Sequence, residues 1–163
     1  MVWAKILKRE TQCEWIMQCH SVTLSAFVKP QEPYDEIKNS LVDFVHLDFE
    51  RERITIKEEK LDSADHDIIT SLSLTFTKQR HVDHILETLR NALSTADKEL
   101  LIKQYLTRID EELNFFLRLD KESFLKQEYT LTDSGQCIHF KVHLACFPAK
   151  IERAKPILME IFK

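Results

Sequence analysis

From His20 to Lys29 the chain alternates, with Val22, Leu24, Ala26 and Val28 on one side and Ser21, Thr23, Ser25 and Phe27 on the other. That period of two predicts a strand with one side in a core, and Pro30 ends it. Pro33 suits the first turn of a helix, and Tyr34, Ile37, Leu41, Phe44 and Val45 then recur at helical spacing. Two short runs, around His46–Phe49 and Arg53–Lys57, predict brief strands. Glu58, Glu59, Asp62, Asp65 and Asp67 follow and predict a solvated loop. Leu72, Leu74 and Phe76 alternate with Ser71, Ser73 and Thr75, which predicts a strand over residues 70–77.

In the second half, Val82, Ile85, Leu86, Leu89 and Leu93 mark a helix. Ser94 or Thr95 can cap another that carries Leu101, Tyr105 and Ile109 and ends near Asn114. Phe115, Leu117 and Leu119 then alternate with Phe116 and Arg118 as a strand. Residues 129–132 and 137–146 predict a hairpin, because Asp133, Ser134, Gly135 and Gln136 between them have turn chemistry. Beyond Pro148, Ala154, Ile157, Leu158 and Ile161 form the apolar stripe of a closing helix. This order predicts a single α+β domain with a mixed, largely antiparallel sheet and helices packed mainly on one face. Residues 1–19 fit it poorly and are expected to be an N-terminal extension outside a core domain of residues 20–163, with Met17 as an alternative start.

Composition narrows the function. The chain has 163 residues, 44% of them hydrophobic, which suffices for one core. No apolar run is long enough to span a bilayer, and Lys5, Lys8, Arg9, Glu10 and Glu14 stand where a signal peptide needs apolar residues, so a cytoplasmic protein is expected. Cys13, Cys19, Cys137 and Cys146 lack zinc-knuckle spacing and are expected to be free thiols. Gly135 is the only glycine, so the glycine-rich loops that cradle nucleotide phosphates are excluded. No cofactor is therefore expected. The net charge is −4, but residues 1–77 hold 9 basic and 14 acidic side chains and residues 78–163 hold 14 and 13, so a nucleic-acid surface belongs in the second half.

Candidate chemistry is sparse. No serine or cysteine has the neighbours of an activated nucleophile, and no catalytic residue is nominated. His81 and His84 lie three apart on a helix but lack a third metal ligand nearby, so no metal site is expected. His139 and His143 are separated by about 13 Å along a strand and cannot share an ion. With Cys137, Lys141 and Ala145 they form a stripe suited to phosphates or sugar hydroxyls, or an ordinary solvated face, opposite Ile138, Phe140, Val142 and Leu144. Phe116 and Arg118 share one side of their strand, an aromatic ring beside a guanidinium of the kind on which an unstacked base rests.

The run Phe115-Phe116-Leu117-Arg118-Leu119-Asp120-Lys121, followed by Leu131-Thr132-Asp133-Ser134 and Ile138-His139-Phe140-Lys141-Val142, resembles the archaeal family of predicted exosome-associated RNA-binding proteins over about residues 20–163. The resemblance implies a small α+β domain of double-stranded-RNA-binding-like or ribosomal-protein-like fold, with an RNA-binding role linked to the exosome. Its matched polar positions here are Arg118, Asp120, Lys121, His139 and Lys141. The acidic net charge and residues 1–19 depart from the pattern. The expected function is non-catalytic binding of structured or double-stranded RNA by backbone contacts, as an accessory factor in RNA processing. Arg118, Lys121, Lys126, His139, Lys141, His143 and Lys150 are the expected contacts, Lys126 and Lys150 being added from charge. The exosome or other RNA-processing proteins are expected partners; a membrane and a nucleotide cofactor are not. The alternative is a protein-interaction subunit whose acidic first half docks a basic partner. A metal-dependent nuclease using the acidic loop with His81 and His84 ranks behind both.

Overall fold

The computed structural model describes residues 19–163. The expected extension therefore lies outside the described residues except for Cys19, which opens the first strand. In chain order the elements are β1 (Cys19–Val28), α1 (Tyr34–Val45), α2 (Phe49–Glu52), β2 (Lys57–Asp62), β3 (Ile68–Phe76), α3 (Gln79–Ala92), α4 (Thr95–Lys103), α5 (Tyr105–Arg108), β4 (Asn114–Asp120), α6 (Lys121–Leu125), β5 (Cys137–Leu144), a 3₁₀ turn (Ile151–Arg153) and α7 (Ala154–Ile161). The strands form one five-stranded antiparallel sheet in the order β2-β3-β1-β5-β4, and the fold is a single α+β domain as the sequence predicts. No helix among the described residues is long and apolar enough to cross a membrane.

The chain clusters into two compact units, and β1, β3, β4 and β5 contribute residues to both. The first unit comprises Thr23–Thr75 and Leu117–Phe140. Its core takes Leu24, Ala26 and Val28 from β1, Leu72 and Leu74 from β3, Leu117 and Leu119 from β4, and Ile138 and Phe140 from β5. Ile37, Leu41, Phe44 and Val45 of α1 complete it, and α1 packs on α6. Rings converge there: Phe44 lies 5.4 Å from Phe124, 5.3 Å from Tyr129 and 5.5 Å from Phe140. The second unit includes Phe76–Phe116 and Lys141–Lys163. Its core is built by α3, which buries Val82, Ile85, Leu86 and Leu89, with α7 packed against α3 and α4 and Phe162 set 6.0 Å from Phe115.

Several sequence expectations give way. Residues 46–49 do not form a strand, because Asp48 accepts the Arg51 N–H at 3.0 Å and caps α2. The acidic stretch expected as a loop contributes instead to β2, which pairs with β3 from Lys57↔Ser73 to Asp62↔Ile68. All six β2 residues are exposed, so no alternation betrays this edge strand, and its charges discourage pairing with another chain. The expected hairpin also fails. Leu131 bridges Leu119, Thr132 N–H donates to the Arg118 carbonyl and Asp120 N–H to the Thr130 carbonyl, so residues 130–132 lie along β4 while β5 runs between β1 and β4. The helix expected to reach Asn114 stops at Arg108. There the Asp110 carboxylate accepts the N–H groups of Glu112 and Asn114 and the Asn114 side-chain amide, and Leu113 takes φ 64°.

Candidate nucleic-acid interface

Each residue from Arg118 to Lys121 has a different task. Arg118 projects from the solvent side of β4 and is exposed, without an ion-pair partner among the described residues. Leu119 is fully buried on the opposite side. Asp120 caps α6: its carboxylate accepts the Ser123 N–H at 2.9 Å and the Ser123 hydroxyl at 2.8 Å. Lys121 turns inward and is only 6% exposed. Its ammonium donates to the Phe27 carbonyl at 2.6 Å and to the two Glu32 oxygens at 3.1 and 3.2 Å.

Lys121 is therefore removed from the expected RNA contacts. A lysine whose three donors are met by largely buried acceptors has none left for a phosphate, and charge alone does not reveal such burial. Glu32 in turn accepts the Lys29 N–H at 2.8 Å. With its amide oriented to suit its neighbours, Gln136 donates to Glu32 and accepts from the Lys29 ammonium, both at 3.1 Å. The hydrogen bonds at Asp120 hold its carboxyl below the usual carboxylate range, the Ser123 amide most of all. Replacing Asp120 by alanine should cost about 1 kcal/mol in urea unfolding. Because the folded value is lowered, that contribution is present above the unfolded pKa of about 4 and fades as pH falls through the folded value. A loss of equal size at pH 7 and at acid pH below both values would sink this account.

Around Arg118 the solvent side of the first unit's sheet is assembled from alternate strand positions. β1 supplies Thr23, Ser25 and Phe27, β3 supplies Ser71, Ser73 and Thr75, and β5 supplies Cys137 and half-buried His139. The Thr23 and Thr75 hydroxyls hydrogen-bond at 3.2 Å. None of these positions on β1, β3 and β5 is acidic; the edge strand adds Lys57 and Glu59, opposite Ser73 and Ser71, which pair with each other at 2.7 Å. Burial pushes the Cys137 thiol pKa up, while the positive charges of Arg118 and Lys121 act to lower it. Lys126 is exposed and stands 3.6 Å from Glu122 across one turn.

The second unit holds the remaining expected contacts. Lys141 is exposed on β5, and its charge reaches Asp110. His143 is half-buried with its ring 5.1 Å from that of His20, and Lys150 is exposed beyond β5. His81 is buried, with its ring 6.0 Å from Phe76. Among the described residues no group of three or more His, Cys, Asp and Glu side chains is placed to hold a metal ion. Phe27 is also exposed on the solvent side of the first unit's sheet, an aromatic ring in the polar register of β1, where its companions are serine and threonine.

Comparison with known proteins gives this surface a context. Residues 21–144 match the model of a family described as RNA binding. The RNA-binding protein PAB1135 of Pyrococcus abyssi is 21% identical over 136 residues, covering 83% of this chain and 88% of its own. Among solved structures, protein AF2318 from Archaeglobus fulgidus superposes with a TM-score of 0.78 at 22% identity, over 88% of this chain and 99% of its own. Mth689 from Methanothermobacter thermautotrophicus gives 0.72 at 22% identity, over 90% and 99%. At these identities the two structures show a shared fold.

Proposed function

The chain belongs to the family described as RNA binding, and on that premise we propose that it is a non-catalytic, cytoplasmic accessory factor that holds structured RNA for exosome-linked processing. The observation that carries this reading is the solvent side of the sheet, where exposed Arg118 shares a side with hydroxyl and imidazole side chains of β1, β3 and β5, and the Glu59 carboxylate of the edge strand is paired with Lys57. Guanidinium and ammonium groups take phosphate oxygens, while hydroxyl and imidazole groups suit sugar hydroxyls. In the first unit Arg118, Lys126 and His139 are the proposed contacts. In the second they are Lys141, His143 and Lys150. The family match begins at residue 21, which supports reading the residues before β1 as an addition to the RNA-binding domain.

The test is binding of nuclease-free protein to fluorescent structured RNA across a salt series. Arg118→Ala should weaken binding and reduce the slope of log K against log salt by about 0.7–0.9, the change expected when one phosphate is no longer neutralised. An unchanged affinity and slope would remove Arg118 from the interface.

A second reading is favoured by a different feature of the first unit. A cleft of about 340 Å³ is lined by Glu36, Asp43, His46, Phe124 and Tyr129 among others, and two carboxylates beside aromatic rings suit a basic side chain of a protein partner. Capture of a partner that resists nuclease treatment and disappears in Asp43→Asn would support it.

A further inference from the structure

We infer that Phe27 is a stacking platform for an unpaired RNA base, so that the protein engages structured RNA at a loop, bulge or single-stranded end and not along an unbroken duplex. The inference rests on the RNA-binding reading above and specifies the part of the RNA that is recognised. Phe27 is 53% exposed on the solvent side of β1, while the core side of the same strand is filled by Leu24, Ala26 and Val28. Its ring therefore adds little to the core.

The backbone beneath that ring is nevertheless held by a polar assembly centred on buried Lys121. The Phe27 carbonyl accepts from Lys121 at 2.6 Å, Lys121 is locked to Glu32, and Glu32 also receives the Lys29 N–H and the Gln136 amide. Residues from the end of β1, the turn before α1, the start of α6 and the segment before β5 thus fix the point from which an exposed aromatic side chain projects. A ring so displayed and so little used for packing is available to a ligand from outside the chain.

The surroundings select its chemistry. Along the same side of β1 lie the small hydroxyl residues Thr23 and Ser25, with Ser71 and Ser73 on the neighbouring β3, which leave the ring accessible from above and offer hydrogen bonds to a base edge or a 2′-hydroxyl. Arg118 is exposed on the same side of the sheet, on β4 beyond β5, where its guanidinium can take a phosphate of the bound strand. A base within a duplex keeps both faces against its neighbours and presents only edges in the shallow groove. Away from a duplex end, only an unpaired base can lay its face on Phe27.

The experiment compares Phe27→Ala and Phe27→Trp with wild type on three fluorescent RNAs: a hairpin with an unpaired loop, a blunt duplex of the same stem sequence, and the loop sequence as a single strand. Circular dichroism confirms that each variant is folded. Wild type should prefer the loop-bearing and single-stranded RNAs. Phe27→Ala should bind these two roughly 5- to 100-fold more weakly while its residual duplex affinity stays unchanged, and Phe27→Trp should retain tight binding. A 2-aminopurine in the loop should be quenched by wild type and not by Phe27→Ala. Equal wild-type affinity for loop and blunt duplex, or a Phe27→Ala variant that binds the loop as tightly as wild type, overturns the inference and leaves the RNA-binding reading standing. Absence of wild-type binding to all three RNAs at low salt overturns both.

Discussion

Lys121→Ala is expected to lower the free energy of unfolding in urea by about 3–5 kcal/mol, because it leaves a carboxylate and a carbonyl without their partner in a site largely closed to water. The two side chains of the Lys121–Glu32 pair are 8% and 17% exposed, so the pair is neither well hydrated nor much screened by salt. Removing the ammonium leaves Glu32 without its counter-charge, with only the Lys29 N–H and the Gln136 amide as donors, and frees the Phe27 carbonyl. The double variant Lys121→Met with Glu32→Leu should recover much of the stability, since removing both charges also removes the desolvation they suffer. Were Lys121 a surface contact for phosphate, as its place in a charged motif suggests, alanine would change stability by under about 0.5 kcal/mol and act on RNA binding alone. Urea titration separates these outcomes.

Phe44→Ala should be about as damaging, at about 3–5 kcal/mol. Phe44 is 2% exposed, and its ring meets Phe124, Tyr129 and Phe140 at centroid distances of 5.3–5.5 Å. Alanine removes the apolar surface, leaves a cavity bounded by stiff rings that cannot collapse into it, and forfeits ring–ring interactions that add about 0.5–1.5 kcal/mol per pair. For a domain of this size the melting temperature should fall by about 10 °C. Phe44→Leu should cost markedly less, since it keeps most of the buried volume. A change below about 1 kcal/mol for alanine would mean that α1 is not anchored through this cluster.

The candidate site is partly legible in the sequence for a physical reason. Arg118, His139 and Lys141 follow from alternation within a single strand: Leu117, Leu119, Ile138, Phe140 and Val142 need the core, and their neighbours must face the other way. The same logic places Phe27 with Thr23 and Ser25, but an uncharged ring in the acidic half of the chain carries no electrostatic sign of a nucleic-acid surface. Lys121 escapes this logic because it is the first residue of a helix and lies outside the strand periodicity that sorts residues into inner and outer. Its burial depends on Glu32 and Phe27, 89 and 94 residues away in sequence.

By itself the sequence determined that this protein is an α+β domain, where most of its strands and helices run, which side of each clear strand enters a core, and that nucleotide-cradling glycine loops are absent. These are consequences of local periodicity and residue chemistry, to which the resemblance to an RNA-binding family added a function. Only the tertiary structure decided the strand order, the pairing of residues 130–132 with β4, the edge strand over Lys57–Asp62 and the inward turn of Lys121. Each of those depends on a partner beyond the local pattern. Backbone hydrogen bonds carry no side-chain signature, an edge strand exposed on both sides shows no alternation, and a charge buried by its counter-ion looks in sequence like any charge in solvent.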